Sequence, residues 1–248
     1  MNRVKLGFFS ISHHAPSGDD RPYLAWHQMD HMPEQYQLPG LLLGQRWVST
    51  PRCREARAGA AEGWDAVGHV VCYLMGNPVD ETLDEFFILG RQLAEQGRLS
   101  LSLPSQYLGG LRLLEAVASP RALVSAEVVP FRPHRGVYVI IDEPDGSVPQ
   151  DEALQRIHAD ILPELVALPG VAGAWSYATS PRIRRPAFSE GRLRIVVCYL
   201  DEDPATVGAR LSPVVDRRWS SVPSRLLLAA PLESVVTLDL DRFGPAPA

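Results

Sequence analysis

Leu38-Pro39-Gly40 is written again as Leu168-Pro169-Gly170, 130 residues further on, and its neighbours follow it. At the same offset Asp30 lies over Asp160, Met32-Pro33-Glu34 over Leu162-Pro163-Glu164, and Thr50-Pro51-Arg52 over Ser180-Pro181-Arg182. Val70-Val71-Cys72-Tyr73-Leu74 recurs as Val196-Val197-Cys198-Tyr199-Leu200, with Pro78 over Pro204, at an offset of 126. A duplicated pattern constrains the architecture before local propensity is consulted, because each half must fold into a similar unit. It also makes each half a control for the other. His27 and His31 lie over Ile157 and Ile161, so one copy carries imidazoles where the other carries hydrocarbon.

The chain has 248 residues, which the repeat divides into units of about 110–120, a common domain size. The expected division is a first unit at 1–118, a connector at 119–135 with Pro120, Pro130 and Pro133, and a second unit at 136–248. A hydrophobic content of 46% with 21% charged residues is that of an ordinary globular protein. The net charge of −5 gives no electrostatic case for nucleic acid. No run approaches the ~18 apolar residues needed to cross a bilayer, so no membrane partner is expected. The stretch Leu6–Ile11 reads as a strand and not as a signal peptide. Three cysteines without metal-ligand spacing suggest a reducing compartment, and a cytoplasmic location is expected.

Each unit reads as strand, helix, strand, strand, helix, strand. In the first, the strands are Val4 to Ile11, Leu41 to Ser49, Ala66 to Met75 and one within Gly109 to Ala118. The helices run from Arg21 to Gln37 and from Pro78 to about Gln96, with Asn77 as the cap of the latter. Residues 55–65 read as a loop, and Gly97 to Leu108 is ambiguous. In the second unit, strands fall at Val137 to Ile141, Val171 to Ala178, Leu193 to Leu200 and Glu233 to Leu240. Its helices cover Gln150 to Ala167 and a segment opened by Asp203-Pro204. This order is the ferredoxin-like split unit, an antiparallel sheet with both helices on one face. The open face of one sheet must be covered, and a second unit in the same chain can cover it. The fold class is therefore α+β, with two tandem βαββαβ units packed sheet to sheet.

The segment Trp26-His27-Gln28-Met29-Asp30-His31-Met32-Pro33, followed by Leu38-Pro39-Gly40 and a strand, resembles the helix-one signature of EthD-like proteins. That family belongs to the dimeric α/β-barrel superfamily. The resemblance implies two ferredoxin-like units forming one barrel within a chain, either as a monomer with an internal pseudo-dimer or as a homodimer. It also implies chemistry on a small molecule of the lyase, isomerase, cyclase or monooxygenase type, and some relatives bind haem through a histidine. The second copy keeps Pro163 but has Ile161 at the histidine position, so a site built on that histidine occurs once per chain.

In the second copy Leu154, Ile157, Ile161, Leu165 and Leu168 recur at spacings of three and four, an apolar stripe that faces a sheet. The aligned residues of the first copy are Leu24, His27, His31, Gln35 and Leu38. Each buried polar group without a partner costs roughly 1–3 kcal/mol, so three substitutions in one stripe point to a polar pocket. His31, with His27 beside it, is the expected acid/base group. Gln35, Trp26, Tyr36, Trp47 and Tyr73 are the expected substrate contacts. Asp30, matched by Asp160, reads as an ion-pair partner. His27 and His31 have a spacing a metal could use, but no third ligand stands out, so neither metal nor cofactor is expected. Three readings stay open: a cofactor-independent enzyme acting on a small hydrophobic, aromatic or polyketide-like substrate, a non-catalytic small-ligand binder, and a haem protein using His31. No dinucleotide fingerprint, P-loop, nucleophile elbow or CxxC pair is present.

Overall fold

The computed structural model describes residues 2–99, 101–240 and Phe243. Strand β1 (Leu6–His13) is followed by helix α1 over 21–35, β2 (Leu41–Val48), the short helix α2 (Pro51–Glu55), β3 (Gly59–Ala60), β4 (Val67–Met75), α3 (Val79–Glu95) and β5 (Ser105–Ala118). A 3-10 turn (Ala126–Phe131) lies in the connector. Then come β6 (Gly136–Pro144), α4 over 150–167, β7 (Val171–Thr179), β8 (Arg194–Leu200), α5 (Pro204–Trp219) and β9 (Ser224–Ser234). The strand order is β2-β4-β1-β5-β7-β8-β6-β9, and β2 pairs with β9 to close an eight-stranded antiparallel barrel. Strand β3 adds a short pairing to β9. The two sheets therefore join edge to edge as well as facing each other.

Every residue of β4 and of β8 is buried. The barrel interior is a solid core that includes Phe9, Trp47, Val70, Cys72, Trp175, Tyr177 and Tyr199. Outside it, Phe8, Val71, Tyr73 and Met75 pack beneath α1 and α3. On the other side, Tyr138, Val196, Cys198 and Leu200 pack beneath α4 and α5.

This two-sided burial corrects the alignment of the repeat. Phe8 pairs with Tyr73, and its counterpart Tyr138 pairs with Cys198. Likewise Trp47 pairs with Val70, and Tyr177 with Ile195. Tyr73 is thus equivalent in space to Cys198, not to Tyr199. Cys72 faces the barrel interior while Cys198 faces the helices, although the two pentapeptides are identical. A strand covered on both faces carries no polar alternation to fix its register, and a slip of one residue exchanges the faces.

Both first helices contain a π-helical turn, at His27–His31 and at Ile157–Ile161, closed by Met32 N–H to the His27 carbonyl and by Leu162 N–H to the Ile157 carbonyl. Pro33 and Pro163 lack an N–H and crowd the carbonyl four residues back, and the wider turn relieves both defects. His27 nonetheless stays buried.

Three expectations are corrected. The last strand is Ser224–Ser234, not Glu233 to Leu240, and Val236 and Leu238 are exposed. Pro231 is accommodated in it because β3 and β2 pair with β9 on either side of that position. Pro78 is the cap of α3 instead of its first residue. The expected loop at 55–65 holds the end of α2 and all of β3, and its Ala58 N–H bonds the Ala229 carbonyl at 3.0 Å. In return the loop after β7 sends Phe188 against Phe8 and Phe87, each at 5.9 Å between ring centroids. The connector seals the barrel end. Trp175 donates to the Ala126 carbonyl (2.9 Å), Gln45 to the Pro130 carbonyl (3.0 Å), and Trp47 to His134 Nε2 (3.1 Å).

Candidate active site

The expected stripe of α1 does face the sheet: Leu24, His27, Gln35 and Leu38 are buried and His31 is half-buried. Beneath it the sheet contributes Arg46 from β2 and His69 from β4, both on the helix-facing side. Arg46 holds the arrangement together. Its Nε donates to His27 Nδ1 at 3.2 Å, Nη1 to His69 Nδ1 at 3.1 Å, and Nη2 to the Tyr23 hydroxyl at 3.2 Å. His69 Nε2 lies 3.0 Å from Asp20 Oδ2, and His27 Nε2 lies 3.3 Å from the Tyr73 hydroxyl.

A guanidinium can only donate, so each imidazole nitrogen facing Arg46 must accept. The other nitrogen of each neutral ring then carries the hydrogen. His69 therefore donates to Asp20 and His27 to Tyr73. Burial, and then the Arg46 charge, holds His27 well below the ordinary histidine range. Burial likewise lowers His69 to about 4, with the Asp20 hydrogen bond opposing it. Burial acts to raise Asp20, but hydrogen bonds from His14, His69 and the Ala15 N–H outweigh it and hold the carboxyl well below its usual range.

His14 Nδ1, Asp20 and His69 Nε2 place three ligand-type atoms within 4.8 Å of one another. The donors around them contradict a metal site. Arg54 donates to His14 Nε2 at 2.9 Å as Arg46 does to His69 Nδ1. Both Asp20-facing nitrogens must therefore carry hydrogens, whereas a metal needs their lone pairs.

His31 stands apart from this network. Its ring stacks on Trp26, with centroids 4.9 Å apart and planes at 23°, and lies 5.5 Å from the His27 ring. Its Nδ1 is buried without a hydrogen-bond partner, and so is Oε1 of Gln35, one turn on. Gln35 Nε2 reaches the His31 carbonyl at 3.4 Å. Burial, and then Arg46, lowers His31 to about 4, so the ring is neutral near pH 7. Two buried polar atoms on side chains one helical turn apart are thus left without hydrogen-bond partners.

The expected contacts are not all brought together. Trp26 and Gln35 flank His31, and Tyr73 meets it only through His27. Tyr36 lies outside, its exposed hydroxyl accepting from the Gly44 N–H at 3.0 Å. Trp47 is in the barrel interior and lines a separate cavity of about 310 Å³ with Gln28, Met32, Gln45, Phe131 and His134. Asp30 pairs with Arg98, whereas Asp160 is exposed and enters none of the ion pairs among the described residues. Sequence reasoning missed Asp20, Arg46 and the role of His69. A usable signal existed: Arg46 is the one charged residue of Leu41–Val48, and His69 the one basic residue of Val67–Met75.

No protein-family model and no curated protein matches the sequence significantly. Solved structures do match. An anthrone oxidase-like protein superposes with a TM-score of 0.54 at 13% identity, over 94% of this chain and 92% of the other. A chlorite dismutase variant from Candidatus Nitrospira defluvii gives 0.54 at 13%, over 98% and 97%. A candidate monooxygenase from Fusobacterium nucleatum gives 0.52 at 9%, over 95% and 94%. The fold is the dimeric α/β barrel. At such identities the likeness concerns the barrel alone, so the chemistry has to be argued from the residues of this chain. No described helix of the barrel is long and apolar enough to cross a membrane.

Proposed function

We propose that this barrel is an EthD-like, cofactor-independent enzyme acting on a small aromatic or polyketide-like molecule, with His31 as the acid/base group. The observation that carries the reading is the neutral His31 ring, whose buried Nδ1 lacks a partner, as does Oε1 of Gln35 one helical turn on. Trp26 stacks on the His31 ring as a flat apolar wall. A base held as low as about 4 has little driving force, so it suits a carbon acid whose anion is strongly delocalised, such as one flanked by two carbonyls or fused to aromatic rings. Removing that proton leaves an electron-rich anion, the form in which such molecules rearrange or react with dioxygen.

A haem does not fit this arrangement. An axial histidine needs a ring nitrogen facing a porphyrin-wide apolar slot. The unpartnered His31 Nδ1 is itself enclosed, and Asp30, Glu34 and Arg98 place charge around the ring.

Replacing His31 with Ile copies the second unit and tests the reading. The His31→Ile protein should keep its melting temperature. Its turnover of a panel of hydroxyaromatic and polyketide-like compounds, followed by product analysis and oxygen uptake, should fall on the order of 10²-fold or more. Full turnover in that variant removes His31 from the mechanism. A compound held in native mass spectrometry but never converted would favour a binding protein instead.

A further inference from the structure

The segment carrying His31 is fastened at three points to one residue outside its own helix. Gly97, with φ of +73°, ends α3 in the left-handed conformation, and the Arg98 N–H then bonds the Leu93 carbonyl at 2.8 Å. This Schellman turn fixes where Arg98 points. Its carbonyl accepts the Trp26 indole N–H at 2.9 Å, and its guanidinium binds Asp30 and Glu34, the latter at 2.6 Å. Trp26, Asp30 and Glu34 lie on both sides of His31 in sequence, and Trp26 is the ring stacked on it.

The second unit separates what is structural here from what is particular. Glu164, which matches Glu34, is also tied to the second helix of its unit, through Arg217 and Arg218. A carboxylate–arginine tie between the two helices is thus common to both copies. The holds on Trp26 and Asp30 belong to the first copy. The residue over Trp26 is Arg156, which has no indole to stack on a neighbouring ring and instead bonds the Ser221 carbonyl at 2.6 Å.

We propose that Arg98 is a positioning residue for His31, holding the Trp26 wall and the two flanking carboxylates in place around the ring. The inference rests on the proposed role of His31 for its functional meaning, but its test does not. The charged and titratable groups around His31 are His27 and Asp30 and Glu34 on its own helix, Arg46 on β2, and Arg98 after α3. Arg46 and Arg98 disfavour the imidazolium, while Asp30 and Glu34 favour it. Loss of the Arg98 charge therefore raises the His31 pKa.

The experiment is an NMR titration of the histidine imidazoles in the full chain. Arg98→Met should move the His31 titration up from about 4 by at least ~0.5 unit, whereas Gly97→Ala, which strains the turn that aims the Arg98 carbonyl, should speed exchange of the Trp26 indole hydrogen. Arg98→Lys should restore part of the titration shift, and Asp30→Asn should move the titration downward. Arg217→Met, which cuts the matched tie in the second unit, should leave His31 untouched. An unchanged His31 titration in Arg98→Met, with unchanged Trp26 exchange in Gly97→Ala, would reduce Arg98 to a helix–helix tie and overturn the proposal. If those signals shift while His31→Ile retains turnover, the positioning stands and the catalytic reading fails.

Discussion

Arg46 is one side chain with three acceptors, and it decides the protonation of two histidines at once. His27, His31 and His69 are all held neutral below the ordinary histidine range. Their folded-state pKa values lie below the unfolded value, so below about pH 6.5 the unfolded chain binds more protons and stability falls as pH drops. The loss runs from about 6.5 down to about 4, where His31 and His69 begin to protonate in the folded protein as well. Asp20 has the opposite charge type but a depressed value, so its contribution is present above ~3.8 and is lost on further acidification. Each buried histidine contributes a slope of up to about 1.4 kcal/mol per pH unit. Urea midpoints should therefore fall steeply between pH 7 and pH 5, and His31→Ile should flatten that fall by up to ~2 kcal/mol. A stability unchanged over this range would mean that these rings are not buried neutral.

At the scale of elements, the twice-written Leu-Pro-Gly shows that one motif can be required for two reasons. Gly170 has φ of +85°, a conformation that side chains resist. Gly40 does not, but a methyl there would overlap Thr82 Oγ1 and crowd the Gly76 carbonyl. Gly40→Ala and Gly170→Ala should each cost about 1–3 kcal/mol by urea denaturation. Adding Thr82→Ala should recover part of the first loss. Adding Val207→Ala relieves a contact in the second copy yet leaves the φ strain, so recovery there should be smaller. The π-turns follow the same logic, since Pro33 and Pro163 produce them in both copies. They are a property of the repeat, and the difference between the copies lies in what side chains the turn presents.

Over the whole molecule, each unit covers the other's inner face, through the β5–β7 and β2–β9 seams and through the loops that cross between them. We propose residues 1–118 and 136–248 as structural units that cannot stand alone. Residues 1–118 expressed alone should dimerise or precipitate in size-exclusion chromatography with light scattering, because Phe9, Ile11, Trp47, Val70 and Cys72 lose their cover. A soluble, folded monomer would refute this. The duplication, most of the strands and helices, the core-facing stripe of α1 and the break in it at His27, His31 and Gln35 were legible in the sequence, because periodicity and repetition are written in the residues themselves. The last strand of the barrel was not legible, because Pro231 masks it and only pairing with β6 selects it. Nor was the register of β4 against β8: both faces are buried, and an apolar pentapeptide reads the same either way round. The network of Asp20, Arg46, His69 and His27 was decided by tertiary structure alone, since its members come from a loop, two strands and a helix. Sequence therefore showed where the first unit departs from the second, and packing determined that His27 is tied to Arg46 and Tyr73 while His31 Nδ1 and Gln35 Oε1 are left without partners.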